Sequence, residues 1–160
     1  MSRIVDNDDW GISVELFQLL QNRFGQLQID WFASEHNAKL PRFYSRFWNP
    51  SSTGIDAFTE SWHHDFGLFV PPISMVYRVI RKMEVDKARG VLVLPYWNSA
   101  VFWPLICPNG NFIVNIIDWI DLPTSRTYYV KCKSGKGIFG NVDLKFRMLA
   151  MFIDFKGRQC

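Results

Sequence analysis

The fold is decided by the central segment GLFVPPISMVYRVIRKMEVDKARGVLVLP, residues 67–95. Its apolar start, 67–70, ends at two prolines, which cannot continue a strand or a helix interior. Ser74 is then placed to cap a helix that runs to about Asp86. The apolar face of that helix is formed by Val76, Val79, Ile80 and Met83. Residues 91–95 are apolar throughout, as is typical of a strand buried on both sides of a parallel sheet. The segment predicts a strand, a helix and a second strand.

The flanking sequence extends this alternation. Apolar residues at helical spacing between Ser13 and Gly25 predict a capped helix, followed by a strand over 27–32. Residues 33–65 read as a loop whose large aromatic side chains must pack on the body or line a cleft. Beyond a short helix at about 99–106, three strand-like runs cover 112–117, 127–133 and 146–155. This order predicts an α/β, Rossmann-like, three-layer fold with a mostly parallel sheet and antiparallel C-terminal strands.

Composition and length indicate one ordered domain. The chain has 160 residues, of which 48% are apolar and 21% charged. Residues 1–11 are polar and acidic and are predicted to form an N-terminal arm, and 12–160 to form the domain. The net charge of +3 is too small to imply a nucleic-acid partner by itself. No apolar run is long enough to span a membrane, and the N-terminus has no signal-peptide core, so we expect an intracellular protein.

Five short motifs carry a resemblance to a known family. They are IDWFASEHNAKLPRF (29–43), DAFTESW (56–62), FVPPIS (69–74), GVLVLPYWNSAVFWPL (90–105) and GIFG (137–140). In this order and spacing they resemble the region that follows RNase H in the polyproteins of DIRS-type tyrosine-recombinase retrotransposons. SRIVDNDDW (2–10) resembles the end of the RNase H domain itself. The resemblance implies other polyprotein domains, and DNA or an RNA–DNA hybrid, as partners.

A more distant resemblance bears on chemistry. The order LD-x-x-A, NA, RF, DA, W, NPPYS is similar to that of phage-type adenine-N6 DNA methyltransferases, which are Rossmann-like and use S-adenosylmethionine. The resemblance implies a methyltransferase-like domain in which residues 70–73 replace the catalytic Asn-Pro-Pro-Tyr loop. In that loop an amide oxygen and the first proline's carbonyl accept the amine hydrogens of a flipped-out adenine, and the aromatic ring stacks on the base.

The loop of this chain departs from that pattern at two of its four positions. Val70 has no side-chain acceptor, and Ile73 has no aromatic face. Of the acceptors, only the backbone carbonyl of Pro71 is left, and Pro72 keeps the turn. Because such a site acts mainly by positioning the amine, we predict a catalytically degenerate loop with no catalytic residue. Aromatic residues of the 43–62 stretch are candidates for closing the former pocket.

Further candidate sites are weaker. By resemblance, Asp30, Asp56 and Asn37 match positions that bear on S-adenosylmethionine binding. A cap or loop hydrogen bond is the structural alternative for Asp30, and a turn is the alternative for Asn37. No G-x-G loop follows the first strand, so we expect no cofactor unless these residues retain it. A basic segment near the C-terminus is the best nucleic-acid candidate, although a solvated sheet edge explains it too. Its members are Lys131, Lys133, Lys136, Lys145 and Arg147.

Metal and nucleophile chemistry are not favoured by the sequence. His36, His63 and His64 read as solvated loop residues rather than ligands. The acids Asp8, Asp9 and Glu35 show no two-metal spacing, and Cys107 has no neighbouring histidine to activate it. The sequence thus predicts a catalytically degenerate, methyltransferase-like module of a retrotransposon reverse transcriptase/RNase H polyprotein, with a structural or nucleic-acid-handling role. A divergent S-adenosylmethionine-dependent adenine-N6 DNA methyltransferase and a non-functional transposon fragment are the alternatives.

Overall fold

The computed structural model describes residues 10–33, 39–45, 53–131 and 137–157. These form a mixed α/β domain, as predicted, with a seven-stranded sheet and a separate two-stranded ribbon. The strands are β1 (Gly11–Ile12), β2 (Ile29–Ala33), β3 (Phe43–Ser45), β4 (Gly54–Ile55), β5 (Phe66–Phe69), β6 (Arg89–Pro95), β7 (Ile116–Leu122), β8 (Tyr129–Val130) and β9 (Met148–Asp154). The helices are α1 (Val14–Phe24), α2 (Val76–Asp86) and α3 (Trp103–Ile106).

The large sheet has the strand order β4-β3-β2-β5-β6-β9-β7. The first five strands of this order run parallel to one another, and β9 lies antiparallel between β6 and β7. Strands β1 and β8 form the ribbon, also antiparallel. The predicted fold class, a mostly parallel sheet with antiparallel C-terminal strands, is confirmed. In such a sheet, ligands usually bind where the strand order reverses, which here lies between β2 and β5.

Helix α1 forms where the sequence places its capping residues. The Ser13 hydroxyl accepts a hydrogen bond from the Leu16 N–H at 3.1 Å, and Gly25 ends the helix with φ of 113°. The side chains at helical spacing are buried, namely Leu16, Phe17, Leu20 and Phe24. The predicted helix and both of its caps are therefore confirmed.

Helix α2 begins later than predicted. Residues 73–75 form a 3-10 turn, and α2 starts at Val76 with Met75 at the N-cap and no side-chain cap. The prediction that Ser74 caps this helix is wrong, because the second proline feeds the tighter turn before the α-helix can begin. Lys87 ends the helix in the left-handed region, with φ of 53°. The predicted apolar face is confirmed, since Val76, Val79, Ile80 and Met83 are all buried.

The two faces of the sheet are covered by different helices. Along β6, Val91 and Val93 point to one side and Leu92 and Leu94 to the other. The first side packs under α1 and includes the ribbon strands, and we call this buried set the front core. The second side packs under α2 and α3, and we call it the back core. Because β6 is buried on both sides, it reads as the continuous apolar run VLVLP.

Two parts of the chain differ from the predicted strands. Strand β7 covers Ile116–Leu122 and so begins later than the predicted run 112–117, and among the described residues 127–131 the strand is Tyr129–Val130. The acids Asp118 and Asp121 lie within β7, beyond the end of the predicted run. Each of them accepts two guanidinium N–H bonds at 2.7 and 3.0 Å, Asp118 from Arg23 and Asp121 from Arg147.

The stretch 33–65 contains more structure than the predicted loop. Strands β3 and β4 extend the sheet, and a 3-10 turn covers Ala57–Thr59. Its aromatic side chains pack on the body as expected, and Trp62 is fully buried in the back core. At the N-terminus, Trp10 and Gly11 of the predicted arm are buried in the body of the domain. None of the described helices is long and apolar enough to cross a membrane.

Candidate functional site

The Pro-Pro loop lies at the carboxyl end of β5, next to the point where the strand order reverses. Val70, Pro71 and Pro72 are buried, and Ile73 is half-buried against the front core. The turn is the one the sequence predicts, since a strand leads into the prolines and α2 follows. The loop's position thus matches that of a ligand-binding loop in an α/β sheet.

The surviving acceptor of this loop already has a donor. The indole Nε1 of Trp10 donates a buried hydrogen bond to the Pro71 carbonyl at 2.8 Å. The Trp10 side chain is only 1% exposed, and its ring stacks on Phe139 with centroids 4.2 Å apart and planes at 16°. The Tyr129 ring adds a tilted contact to Trp10 at 6.0 Å. We call Trp10, Tyr129 and Phe139 the loop cluster, in which Trp10 contacts the Pro71 carbonyl and the other two rings pack on Trp10.

Three aromatic residues of the 43–62 stretch lie away from this loop, whereas the buried Phe43 is the register partner of Asp30 on the front side. Tyr44, Phe58 and Trp62 lie in the back core with Trp31, Phe32 and Phe69, on the opposite face of the sheet. The Trp62 Nε1 donates locally, to the Ala57 carbonyl at 2.9 Å. Phe47 and Trp48 lie outside the described residues. The covering side chains come instead from the N-terminus and the GIFG motif.

Asp30 is a buried acid on the strand beside the loop. It pairs in register with Leu68 of β5, so its side chain lies on the front side of the sheet. Burial raises the pKa of the Asp30 carboxyl to about 7. Hydrogen bonds from the backbone N–H groups of Lys39 and Phe32, and the Lys39 charge, act in the lowering direction. Burial also lowers the pKa of Lys39, while the Asp30 charge acts to raise it.

Asp56 has a different environment from Asp30. It is exposed, adopts a left-handed conformation with φ of 57°, and accepts a hydrogen bond from the Phe58 N–H at 3.2 Å. It follows β4, which lies three strand spacings, about 14 Å, from β5. The structure therefore does not bring Asp56 to the Pro-Pro loop, whereas Asp30 lies on the adjacent strand. Asn37 lies outside the described residues.

Local hydrogen bonds engage both acids. The Asp30 carboxyl is buried and accepts two backbone N–H bonds, and the exposed Asp56 carboxyl accepts one from the Phe58 N–H. Their role in binding S-adenosylmethionine stays a prediction.

The predicted basic segment is only partly described. Lys131 and Lys145 are exposed. Arg147 is exposed too, but its guanidinium is paired with Asp121 and lies over the Tyr96 ring at 4.4 Å. Lys133 and Lys136 lie outside the described residues. Of the three described members, Arg147 is therefore the one with a carboxylate partner of its own, Asp121.

The residues considered for other chemistry are dispersed. His63 and His64 are exposed, Cys107 is half-buried against the back core, and Asp8, Asp9, Glu35 and His36 lie outside the described residues. Within the described ranges, no three His, Cys, Asp or Glu side chains are close enough together to hold a metal ion.

Trp10 and Phe139 are site residues that the sequence patterns do not indicate. Trp10 ends an acidic stretch that reads as an arm, and Phe139 belongs to the GIFG motif, which carries only a resemblance. An isolated tryptophan directly before an apolar pair, Gly11–Ile12, was the available indication that this stretch is buried.

Comparison with known proteins identifies the family of this domain. A family model described as DNA N-6-adenine-methyltransferase (Dam) matches residues 2–159, which is nearly the whole chain. A search of curated proteins finds no match. The chain belongs to the DNA N-6-adenine-methyltransferase (Dam) family.

Proposed function

We propose that this chain is a Dam-family domain without methyl-transfer activity, which serves as a structural or nucleic-acid-handling module of a retrotransposon reverse transcriptase/RNase H polyprotein. One observation carries the proposal: the Pro71 carbonyl, the last acceptor of the loop, is buried and bonded to the Trp10 indole at 2.8 Å. The polyprotein context rests on the five-motif resemblance and on SRIVDNDDW.

The chemistry of amine methylation explains why this bond matters. An exocyclic amine is a weak nucleophile, and two acceptors must hold its hydrogens while it faces the methyl donor. Val70 offers no side-chain oxygen at the first position, and Trp10 occupies the carbonyl at the second. Ile73 cannot stack on a base. All three contributions of the loop are missing or occupied, which supports a non-catalytic role.

The environment of Asp30 supports the same proposal. A buried carboxyl with a pKa of about 7 and two backbone donors is suited to holding the turn after β2. The competing function, adenine-N6 methylation by a divergent site, is favoured by the family match itself. It requires a side-chain acceptor outside the loop, and Asp30, on the strand beside the loop, already accepts two backbone N–H bonds.

Methyl transfer is the first test. The full chain is titrated with S-adenosylmethionine by calorimetry and then assayed for transfer of a labelled methyl group to duplex and hemimethylated DNA. We expect no transfer above the level of a protein-free reaction. Turnover above that level would overturn the proposal, and its loss in Asp30→Asn would show that Asp30 takes part in the reaction.

Nucleic-acid binding is the second test. Affinity for duplex DNA, RNA–DNA hybrid and single strands is measured from low to moderate salt. Each phosphate contact contributes about 0.9 to the slope of log affinity against log salt on B-DNA. We expect Lys131→Gln with Lys145→Gln to lower the slope by about 1 to 2, while the control Arg147→Gln, whose charge is already paired, changes it less. A flat slope in the wild-type protein would count against nucleic-acid handling.

A further inference from the structure

The arginines of this chain fall into two groups. Five of the seven arginines among the described residues contact an aspartate oxygen, at 2.7 to 3.8 Å. These five are Arg23, Arg42, Arg89, Arg126 and Arg147. Within the described ranges, Arg78 and Arg81 are the two that have no carboxylate partner. Both lie on the exposed face of α2, where a spacing of three residues makes their side chains neighbours.

An aromatic residue, rather than an acid, holds each of these two guanidinium groups. The Arg78 Cζ lies 3.8 Å from the centroid of the half-buried Phe58 ring. The Arg81 Nη1 donates a hydrogen bond to the Tyr77 hydroxyl at 3.3 Å. These contacts restrict both side chains but leave both charges uncompensated. Because the Tyr77 hydroxyl accepts this bond, its own hydrogen is left to donate to a ligand.

The other charges of α2 do not neutralise the two arginines. Lys82 and Asp86 form an ion pair with each other at 2.8 Å. Glu84 is exposed and has no cationic partner among the described residues, and the exposed Lys87 adds a further positive charge at the end of the helix. Like charges on neighbouring turns destabilise a helix, so this surface carries a cost that a bound anion would relieve.

We propose that Tyr77, Arg78 and Arg81 form a phosphate-binding surface, through which the chain holds the backbone of a nucleic acid. The N–H donors of a guanidinium match the oxygens of a phosphate, and tyrosine hydroxyls also contact phosphates. Helix α2 packs on the back core, so nucleic acid bound here lies across the outside of the helix and does not enter the Pro-Pro loop. The inference rests on the proposed nucleic-acid-handling role and adds a contact surface to it.

The test measures binding of the full chain to labelled duplex DNA and RNA–DNA hybrid from low to moderate salt. Arg78→Gln combined with Arg81→Gln should lower the slope of log affinity against log salt by about 1 to 2, because each phosphate contact contributes about 0.9. Arg23→Gln combined with Arg42→Gln is the charge-matched control. Each of these two arginines donates two bonds to an aspartate, so the control should change the slope by less than about 0.5.

A second double variant separates charge from geometry. Arg78→Lys combined with Arg81→Lys keeps both charges but loses the guanidinium fork. We therefore expect an unchanged salt slope and an affinity about tenfold lower. Full affinity in this variant would count against a contact made by the guanidinium groups.

Three further results would overturn the inference. Equal changes of slope in the glutamine variant and in its control would mean that total charge alone explains the binding. Polyglutamate that competes as well as DNA at equal salt would indicate a surface for an acidic protein instead. Binding of the wild-type chain that depends on Lys131 and Lys145 but not on Arg78 and Arg81 would remove this surface and leave the proposed role intact. Absence of any salt-dependent binding by the wild-type chain would remove both, so the two failures are distinguishable.

Discussion

The loop cluster and the aromatic part of the back core use the same residue types for different purposes. In the loop cluster, Trp10 bonds to Pro71 across 61 positions of sequence. In the back core, Trp62 bonds to Ala57 only five positions away, and the buried Nε1 of Trp31 has no hydrogen-bond partner among the described residues. The loop cluster thus joins the N-terminus to the candidate site, whereas the back-core aromatics mainly fill space.

This difference shows which contacts bear on function. The back-core rings meet at tilted and edge-on angles. These are the angles expected where aromatic rings pack densely. Glycines at 67 and 90 make the packing feasible. A Cβ on Gly67 would lie 2.6 Å from the Trp31 Nε1, and one on Gly90 would lie 2.6 Å from the Phe69 ring. In the loop cluster, by contrast, Trp10 stacks nearly parallel on Phe139 and donates a long-range hydrogen bond to the Pro71 carbonyl.

The largest loss of stability is expected when the central tryptophan of either cluster is truncated to alanine. Trp10→Ala and Trp62→Ala should each lower the free energy of unfolding by about 3–5 kcal/mol, because both remove a fully packed indole. Urea denaturation at constant pH measures both losses. Only Trp10→Ala should also leave the Pro71 carbonyl without its indole donor. A loss below about 1 kcal/mol for Trp10→Ala would mean that the loop cluster does not hold the N-terminus in place.

Asp30 gives the next largest effect, because its carboxyl is buried on the front side of the sheet with backbone donors and one partly buried lysine. Its folded pKa of about 7 lies above the ordinary value of 3.8, so the folded state holds its proton more tightly than the unfolded state does. Stability from this group is full below about pH 4 and is lost as the pH rises through 7. We expect a fall of about 2–4 kcal/mol between pH 4 and pH 8.

Asp30→Asn provides the measurement for that pH dependence. The amide cannot ionise, so the variant should be more stable than the wild-type protein at pH 8 and close to it at pH 4. Urea melts at intervals across this range give the difference between the two proteins, in which other titrating groups cancel. Parallel pH profiles for the two proteins would contradict the assignment of a raised pKa to Asp30.

The elements that could be predicted from the sequence are those specified locally. Helix α1 has Ser13 and Gly25 at its ends, and β6 is a continuous apolar run, so both are where the pattern places them. Strand β7 was misplaced because its acids are neutralised by Arg23 and Arg147, which are far away in the sequence. The start of α2 depends on the turn that follows the prolines, which a capping pattern does not reveal.

In the candidate site, too, some features can be predicted from the sequence and others cannot. The loss of side-chain chemistry at Val70 and Ile73 is visible from the residue types alone. The hydrogen bond to the Pro71 carbonyl cannot be seen in the sequence, because its donor lies 61 residues away in a stretch that looks like a polar arm. Asp30 and Asp56 look equivalent in the sequence, but strand order places one beside the loop and the other about 14 Å from it. The hydrogen bond to Pro71 and the positions of the two acids depend on contacts between segments that are distant in the sequence.

A smaller effect isolates the Trp10 hydrogen bond from its packing. Trp10→Phe keeps a ring against Phe139 but leaves the Pro71 carbonyl buried without its donor. An unsatisfied buried acceptor costs about 1–3 kcal/mol, which should appear as a lower free energy of unfolding in urea. A variant as stable as the wild-type protein would indicate that water or another donor replaces the indole.

The smallest effect is expected for the same substitution on the other face of the sheet. Trp31→Phe removes the same ring atoms from a side chain that is 3% exposed, but its Nε1 has no partner to lose. Relief of the buried N–H offsets the lost packing, so we expect a change within about 1 kcal/mol of the wild-type stability. The difference between Trp10→Phe and Trp31→Phe then measures the loop hydrogen bond with the volume change cancelled. Equal losses in urea would show that the bond to Pro71 adds nothing beyond packing, and the comparison between the two clusters would lose its basis.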